Sequence, residues 1–410
     1  MVRWIIFLLI FGVIDLYAFQ ALRTVSKNNW IQIAYWALSV LVIGNFIFHY
    51  YGFSRSDGFS HSHGYAFGFF LTLLVPKMIL LAVMLGEDIV RLPYAIYQHF
   101  TEGSSSDGFL VSRRKFVSQI ALGIAAIPFT SILYGISRGK YNFKVLNYTL
   151  HFDDLPDAFD GFRLTQISDI HSGSFDNPDK VSYAIDLINE QQSDMIMFTG
   201  DMVNNKADEM FPYVDMFKKL KAKDGLYSVL GNHDYGDYIS WDSETAKTEN
   251  LDRLKKVQKE IGFDLLLNEH RIIERNGERL AVIGVENWGK GGFKKAGDLK
   301  KATENLDNDT FKVLLSHDPS HWEAEIVDDA LHYHLTLSGH THGMQFGIEI
   351  PGLFKWSPVK WRYKQWAGIY EKFGQYINVN RGFGYLAFPG RVGIWPEITV
   401  IELKKAPKEA

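Results

Sequence analysis

Phe162-Arg163-Leu164-Thr165-Gln166-Ile167-Ser168-Asp169-Ile170-His171 is the stretch on which the reading of the fold turns. A β-like run closes on an Asp-x-His pair, and the same event recurs along the chain. Met195–Thr199 runs into Gly200-Asp201, and Leu226–Leu230 into Gly231-Asn232-His233-Asp234. Lys312–Ser316 leads to His317-Asp318, and His334–Ser338 to Gly339-His340-Thr341-His342. Strand ends followed by loops are where α/β sheets build their sites. A glycine beside three of these clusters allows tight turns and close approach. Residues one position apart in an extended segment point the same way. Asp169 with His171, and His340 with His342, are therefore each expected to present two ligands to one site.

The ligand types are Asp and Asn oxygen with imidazole nitrogen, which suit Mn, Fe or Zn better than calcium or soft copper. Asp169, His171, Asp201, Asn232, His317, His340 and His342 are too many for one ion. They are right for two ions that share a carboxylate. Paired metals about 3.5–4 Å apart are a device for in-line attack of a hydroxide at phosphorus, with neutralisation of the phosphate oxygens. A lone Asp-x-His or Gly-Asp carries little weight. Five clusters in this order, each closing a β-like run, carry a great deal.

Outward from these clusters, residues from about Asn142 alternate short β-like runs with helical patterns. Further strands are expected at Lys144–Phe152, Arg279–Val285, Tyr376–Asn380 and Ile398–Leu403, and helices at Asp179–Gln191, Glu209–Lys221, Ser243–Ile261 and His321–Asp328. The preceding residues, 1–140, are of another kind. Trp4–Leu22, Ile31–Tyr51, Tyr65–Leu85 and Phe116–Gly135 are each long and apolar enough to cross a bilayer, which takes about 20 residues. The domain reading is thus a helical membrane region over 1–140 and a soluble domain over 141–410. Formal charge follows the same division, +5 before residue 141 and −9 after it. A soluble half at −9 lacks the basic surface of a non-specific nucleic-acid binder, so no nucleic-acid partner is expected. The chain has no cysteine, which excludes disulfides, thiolate metal sites and Cys nucleophiles.

Arg23, Lys27, Arg91, Arg113, Arg114 and Lys115 fall in the first and third inter-span loops, against Arg3 and Arg55 on the opposite side. The positive-inside rule places the crowded side in the cytoplasm and the C-terminal domain outside it, in a multi-pass cell-membrane protein. Ser112-Arg113-Arg114-Lys115-Phe116 resembles a bacterial twin-arginine export signal, and reads equally well as the basic flank of the fourth span. Asp15 and Lys77 lie inside spans, where a structural ion pair is the expected arrangement.

The order D-x-H, G-D, G-N-H-D, H and G-H-x-H, read at Asp169 to His342, resembles the calcineurin-like metallophosphoesterase superfamily over roughly residues 145–405. Leu314–Trp322, Gly339–Gly343 and the closing Asn378–Tyr385 and Pro396–Leu403 segments are similar to a branch of bacterial membrane-associated enzymes that includes twin-arginine-exported phosphodiesterases. Some members of that branch hydrolyse UDP-diacylglucosamine. The resemblance implies a four-layer α/β/β/α fold, two β-sheets packed together and flanked by helices, with the metals at the strand ends. It implies Asp169, His171 and His342 on a first metal, Asn232, His317 and His340 on a second, and Asp201 bridging. His233 would bind phosphate or protonate the leaving oxygen, a task suited to an ordinary imidazole pKa near neutrality. Asp234 would orient the site or cap a helix. There are departures. The protein phosphatases of the superfamily carry G-D-x-V-D-R-G, whereas this chain reads Gly200-Asp201-Met202-Val203-Asn204-Asn205. Asn204 stands where the Asp that orients the acid His commonly stands, and the phosphate-binding Arg is absent. Met344 replaces the second Gly of G-H-T-H-G-G-Q, which would narrow the mouth beside His342.

The expected partners are the membrane and a phosphoester substrate. Between Phe346 and Phe373 aromatic and basic residues interleave, among them Trp356, Lys360, Trp361, Arg362, Tyr363 and Trp366. That pattern fits a surface at the lipid headgroup level, and so a lipid-linked substrate, and fits equally a hairpin with buried aromatics. Three functional classes follow: an active diesterase or pyrophosphatase, a metal-bearing sensor without turnover, and a transporter or channel regulated by the soluble domain.

Overall fold

The computed structural model describes residues 2–54, 58–101, 107–350 and 352–407. Arg55, used in the charge reading above, lies outside them. The chain divides into two compact units, Met1–Phe53 with His61–Ser137, and Ser54–Ser60 with Arg138–Ala410.

The first unit has four helices, α1 (Val2–Val25), α2 (Asn29–Tyr50), α3 (His61–Thr101) and α4 (Asp107–Ser137). Each holds a stretch long and apolar enough to cross a membrane: Val2–Val25, Asn29–Tyr50, His61–Pro93 and Arg113–Ser137. α3 has 41 residues, twice the expected span. At about 1.5 Å per residue it is far longer than a hydrocarbon core of about 30 Å. Lys77 Nζ lies 2.6 Å from Asp15 Oδ1, both side chains buried. Tyr35 Oη donates to the same oxygen at 2.6 Å, and Ser39 Oγ to Oδ2 at 2.5 Å. Asp15 and Lys77 are thus an ion pair whose lone pairs are further satisfied by hydroxyls, the arrangement that lets charge persist inside such a bundle. Arg114 is the hub of a second cluster. It pairs with Asp88 and with Glu87 at 3.3 Å, and donates to Gln20 at 2.8 Å.

The second unit is built on strands β1 (Lys144–Phe152), β2 (Phe162–Ile167), β3 (Met195–Phe198), β4 (Leu226–Ser228), β5 (Phe263–Leu265), β6 (Glu269–Arg275), β7 (Glu278–Gly284), β8 (Phe311–Leu315), β9 (Leu335–Ser338), β10 (Ile348–Ile350), β11 (Phe354–Trp356), β12 (Gly368–Lys372), β13 (Gln375–Val379) and β14 (Glu397–Lys405). One six-stranded sheet runs β1-β14-β2-β3-β4-β5, the other β12-β13-β9-β8-β7-β6, and β10-β11 is a separate hairpin. β2, β3, β4 and β5 are parallel, as are β7, β8, β9 and β13.

Alternation along the strands builds three apolar layers. Met195 and Met197 of β3 join Leu280, Val282, Val313 and Leu335 between the two sheets. Ile196 and Phe198, on the opposite face of β3, pack against α5 (Pro178–Glu190) and α7 (Glu244–Ile261). Ala281, Ile283 and Leu314 pack outward against Leu299, Trp322 and Ile326. The order is helix, sheet, sheet, helix. α5 and α7 begin where side-chain caps dictate, Asn177 with Pro178 behind it, and Ser243.

Two expected helices differ. Glu209–Lys221 is a 3₁₀ stretch, Ala207–Tyr213, followed by one turn α6 (Val214–Phe217), because Pro212 lacks the N–H an α-helix needs there. His321–Asp328 is a π-turn over Trp322–Ile326. Five strands are unexpected: β5, β10 and β11, of three residues each and too short to show a period, and β6 and β12, edge strands of the second sheet whose polar residues interrupt any apolar run.

Candidate metal centre

Five loops converge at the C-terminal ends of parallel strands from both sheets: Asp169 and His171 after β2, Asp201 after β3, Asn232 and His233 after β4, His317 after β8, and His340 and His342 after β9. The two sheets are tied together here. His317 Nδ1 lies 2.7 Å from the Thr199 carbonyl, and Asp169 accepts the His340 N–H at 3.0 Å. Gln166 Nε2 donates to the Ser338 carbonyl at 2.8 Å.

Three overlapping groups of side chains result: Asp169, His171 and His342; His171, Asp201 and His233; and Asp201, His317 and His340. Within each, the donor atoms lie within 4.8 Å of one another. His342 Nε2 is 3.2 Å from Asp169 Oδ1 and 3.0 Å from His171 Nε2. His317 Nε2 is 3.2 Å from Asp201 Oδ2 and 3.2 Å from His340 Nδ1. Asp169 and His171 do reach one group, but His340 and His342 part company into two. The backbone is not extended at either pair. Asp169, His171, Asp201, His340 and His342 all have φ between 47° and 71°. Left-handed backbone at five non-glycine positions is costly and persists only where the surroundings enforce it. It turns side chains that would lie along one strand face toward a common centre. The glycines make room for this. A Cβ on Gly231 would overlap the Asp201 carboxylate, and one on Gly339 would overlap Ser168 and Asp169.

The donor set fits divalent cations on its own chemistry. His171 Nδ1 is 3.1 Å from the Asn204 side-chain oxygen, and His317 Nδ1 faces a carbonyl. Both rings therefore carry the Nδ1 proton and turn Nε2 inward, where it can bind a cation once any proton on it has left. Two Nε2 atoms 3.0 Å apart, those of His171 and His342, need a proton or a cation between them. Asn232 donates through Nδ2 to Tyr238 Oη at 2.8 Å, while its Oδ1 is buried with no hydrogen-bond partner among the described residues. Such an orphaned oxygen calls for a ligand.

Electrostatics sharpen the picture. Burial alone would lower the His317 pKa, but the Asp201 carboxylate raises it to about 10. Burial opposes ionisation of Asp201, yet His317 and His233 hold it well below its ordinary value. Burial, with His317 adding, lowers His340 to about 4. Burial also lowers His233 below its ordinary value, against the pull of Asp201, so the near-neutral imidazole expected from the sequence is not what the fold supplies.

His233 donates its main-chain N–H to Asp201 Oδ1 at 2.8 Å, and its Nδ1 lies 2.8 Å from the main-chain carbonyl of Asn204. The replacement of an Asp by Asn204 therefore leaves His233 oriented, because the backbone of residue 204 faces it while the side chain serves His171. Asp234 is in none of the three groups. Its fully buried carboxylate accepts N–H bonds from Asp201, Met202 and Gly231 at 2.8–2.9 Å, clamping the β3 and β4 loops to one another. It caps no helix. Met344 is exposed.

Sequence reading missed Arg391 and Tyr363. Arg391 is fully buried, donates to the Gly384 carbonyl at 2.8 Å, and brings Nη2 to 3.3 Å from His342 Nδ1. Tyr363 Oη lies 2.8 Å from His340 Nε2. Arg391 belongs to no motif, and Tyr363 stands in the sequence only as one of the interleaved aromatics between Phe346 and Phe373, with nothing there to link it to His340.

Residues 162–344 match the family described as calcineurin-like phosphoesterase, and residues 2–140 match that described as probable calcineurin-like phosphoesterase, transmembrane domain. The chain belongs to the calcineurin-like metallophosphoesterases. It is 28% identical over 300 residues to the uncharacterized metallophosphoesterase YkuE of Bacillus subtilis, which covers 72% of this chain and 98% of that protein. It is 29% identical over 286 residues to YkoQ of the same organism, 68% of this chain and 97% of that one. A transmembrane protein with metallophosphoesterase domain from Danio rerio is 26% identical over 315 residues, 73% of this chain and 68% of that protein. This metallophosphoesterase is accordingly a membrane-associated, metal-dependent phosphoesterase.

Proposed function

We propose that the metallophosphoesterase holds two divalent ions, Mn, Fe or Zn, and hydrolyses phosphodiester or pyrophosphate bonds, with lipid-linked phosphoesters as substrates. The observation that carries the two-ion reading is the Asp201 carboxylate, common to a group with His171 and His233 and a group with His317 and His340. In this reading Asp169, His171 and His342 hold one ion, Asn232, His317 and His340 the other, and Asp201 bridges. Ions bound there supply charge neutralisation at the phosphate and an acidified water.

The chain's own residues do the rest. Asp234 holds the Gly200-Asp201 and Gly231-Asn232 loops in register, so it is a positioning residue. His233 keeps its Nδ1 proton on the Asn204 carbonyl and offers Nε2 to the phosphate or the leaving oxygen. Burial lowers the His233 pKa, and an anionic substrate beside Nε2 would favour its protonated form.

The lipid-linked reading is supported by the β10–β11 hairpin. Tyr363 and Trp366 are buried with Ala367 and Ile394, so part of the aromatic stretch is core. The outer residues are not: Leu353 is 79% exposed and Trp361 75%, with Ile348 and Phe354 exposed beside them. Exposed apolar and aromatic residues of this kind suit the acyl boundary of a bilayer. The loop charges favour an extracytoplasmic catalytic domain.

The test uses the full chain in detergent, stripped with chelator and reloaded with Mn, Zn or Fe, acting on bis-p-nitrophenyl phosphate. Turnover should require metal, and Asp201→Ala and His233→Ala should each lose at least about 100-fold. Two bound metals with no turnover on this diester or on lipid pyrophosphates would leave a metal-bearing sensor. A preference for water-soluble over lipid-linked diesters would remove the lipid part of the proposal.

A further inference from the structure

Exposed large apolar residues are not spread evenly over the second unit. Met344, Ile348, Ile350, Leu353, Phe354 and Trp361 fall in one short stretch. The others among the described residues, Tyr183, Phe211 and Phe373, lie singly on separate elements. Scattered apolar residues are ordinary on a protein surface, whereas a gathered set marks an interaction face.

Pairing in the β10–β11 hairpin sorts these residues. Ile348 stands opposite Trp356, Glu349 opposite Lys355, and Ile350 opposite Phe354. Side chains alternate along a strand, so Ile348, Ile350, Phe354 and Trp356 share one face and Glu349 and Lys355 the other. The charged face is the one turned into the domain. Glu349 Oε1 accepts from the buried Arg381 at 2.6 Å. Lys355 Nζ donates to the Ala367 carbonyl at 2.5 Å and lies 4.5 Å from the centroid of the Tyr370 ring. The apolar face is left outward, with Ile348, Ile350 and Phe354 all exposed. Leu353 in the turn extends it, as does Trp361, whose ring meets that of Trp356 edge to face at 6.0 Å. Water drives the reverse arrangement, apolar face in and charges out. The hairpin is also fixed at its base. The Gly347 N–H donates to the Val392 carbonyl at 2.9 Å, and Ser357 Oγ to the Gly343 carbonyl at 2.8 Å.

We infer that this face enters a lipid bilayer and gives the chain a second hold on the membrane besides its four helices. Those helices keep a bilayer within reach of the hairpin, so lipid is the apolar phase at hand. The rim of the face carries matching charge. Lys360 and Arg362 flank Trp361 and are exposed, in a soluble half whose formal charge is −9. A tryptophan between two cations suits the headgroup layer of anionic lipid, and the aliphatic residues beside it suit a depth of about 5–10 Å. Trp361 stands two residues before Tyr363, whose hydroxyl lies 2.8 Å from His340 Nε2, so the docked face and the metal centre share one segment. Docking of this kind does not depend on which phosphoester is cleaved, and it is measured without turnover.

The chain has no cysteine, so an introduced one is the sole labelling site. Leu353→Cys, with Phe211→Cys as the control, is labelled with the fluorophore NBD in the full chain, at one chain per nanodisc of phosphatidylcholine and phosphatidylglycerol in equal parts. The label at 353 should emit to the blue of that at 211 and lose at least about half its emission when the acyl chains carry doxyl groups, since those groups lie at the depth of an interfacial segment. Adding Ile350→Glu and Phe354→Glu should abolish that quenching, and an unchanged unfolding temperature would show the fold intact, as expected of exposed positions. A label at 353 no bluer and no more quenched than that at 211 would overturn the docking. Blue emission that doxyl lipid leaves unquenched would overturn it too, by showing that protein covers the face. Quenching that survives both glutamates would overturn the assignment to this face.

Discussion

Replacing Gly231 by alanine tests whether the position of the Asp201 carboxylate governs activity. The added Cβ would sit 2.6 Å from the Asp201 main-chain nitrogen and 2.7 Å from its Cγ, where ordinary contact begins at 3.4 Å. Those two atoms alone require a shift of about 0.7–0.8 Å, and Asp201 Oδ1, which lies nearer still, requires more. The Gly200-Asp201 loop has little room to retreat, since the Asp201 N–H is bonded to Asp234 at 2.9 Å and its carbonyl accepts from His171 at 3.1 Å. The displacement is therefore transmitted to the carboxylate shared by two of the three groups. Misplacement of a reacting centre by about 1 Å costs about 100-fold in rate, and overpacking of this kind costs about 1–3 kcal/mol of stability. We expect kcat/KM on bis-p-nitrophenyl phosphate to fall about 30–100-fold, with less than one equivalent of the second metal retained by elemental analysis. Gly292→Ala, where a Cβ meets nothing within 4 Å, is the control and should stay within about twofold. A Gly231→Ala enzyme with full metal content and activity within threefold of the parent would refute the reasoning, because Asp201 would then not need the place the fold assigns it.

Three further outcomes are expected. Asn204→Ala removes the partner of His171 but not the main-chain partner of His233, so metal affinity should drop about 10–100-fold while saturating metal restores most of kcat; a kcat still down about 100-fold at saturating metal would show that the side chain serves His233 instead. His317 has its pKa raised to about 10, so a proton occupies it over the neutral range and must leave when a cation binds. Metal affinity should therefore rise about tenfold per pH unit up to about pH 10, with about one proton released in paired-buffer calorimetry at pH 8, and binding without proton release would exclude His317 as a ligand. In the helical unit, Asp15→Asn should cost about 3–5 kcal/mol in detergent unfolding by stranding Lys77, and adding Lys77→Met should recover a large part of that loss; a double variant worse than the single would contradict the ion-pair account.

Much of this molecule is legible in one dimension. Four apolar runs declare four helices, because a bilayer demands length and hydropathy that composition alone reports. The ends of β2, β3, β4, β8 and β9 are equally plain, since each buried parallel strand is a short apolar run that stops at a cluster of ligand-type residues. The strands read only in three dimensions are the three-residue β5, β10 and β11 and the edge strands β6 and β12, which take their conformation from their neighbours rather than from an apolar run of their own.

The ligand types and the order in which they appear are local properties, and the residues from Asp169 to His342 display them without help from the fold. Their geometry is not local. His340 and His342, two positions apart, part into separate groups because both sit in left-handed backbone that only the packed loops around Gly339 and Gly382 sustain. Residue 204 orients His233 through its carbonyl, so a substitution that looks damaging in the sequence leaves that contact standing. Arg391 and Tyr363 reach the histidines from distant segments because two sheets close on one another. Sequence determines which chemistry the chain is able to perform; the meeting of two sheets decides which atoms face one another, since a side chain's direction depends on backbone angles and neighbours that no linear pattern records.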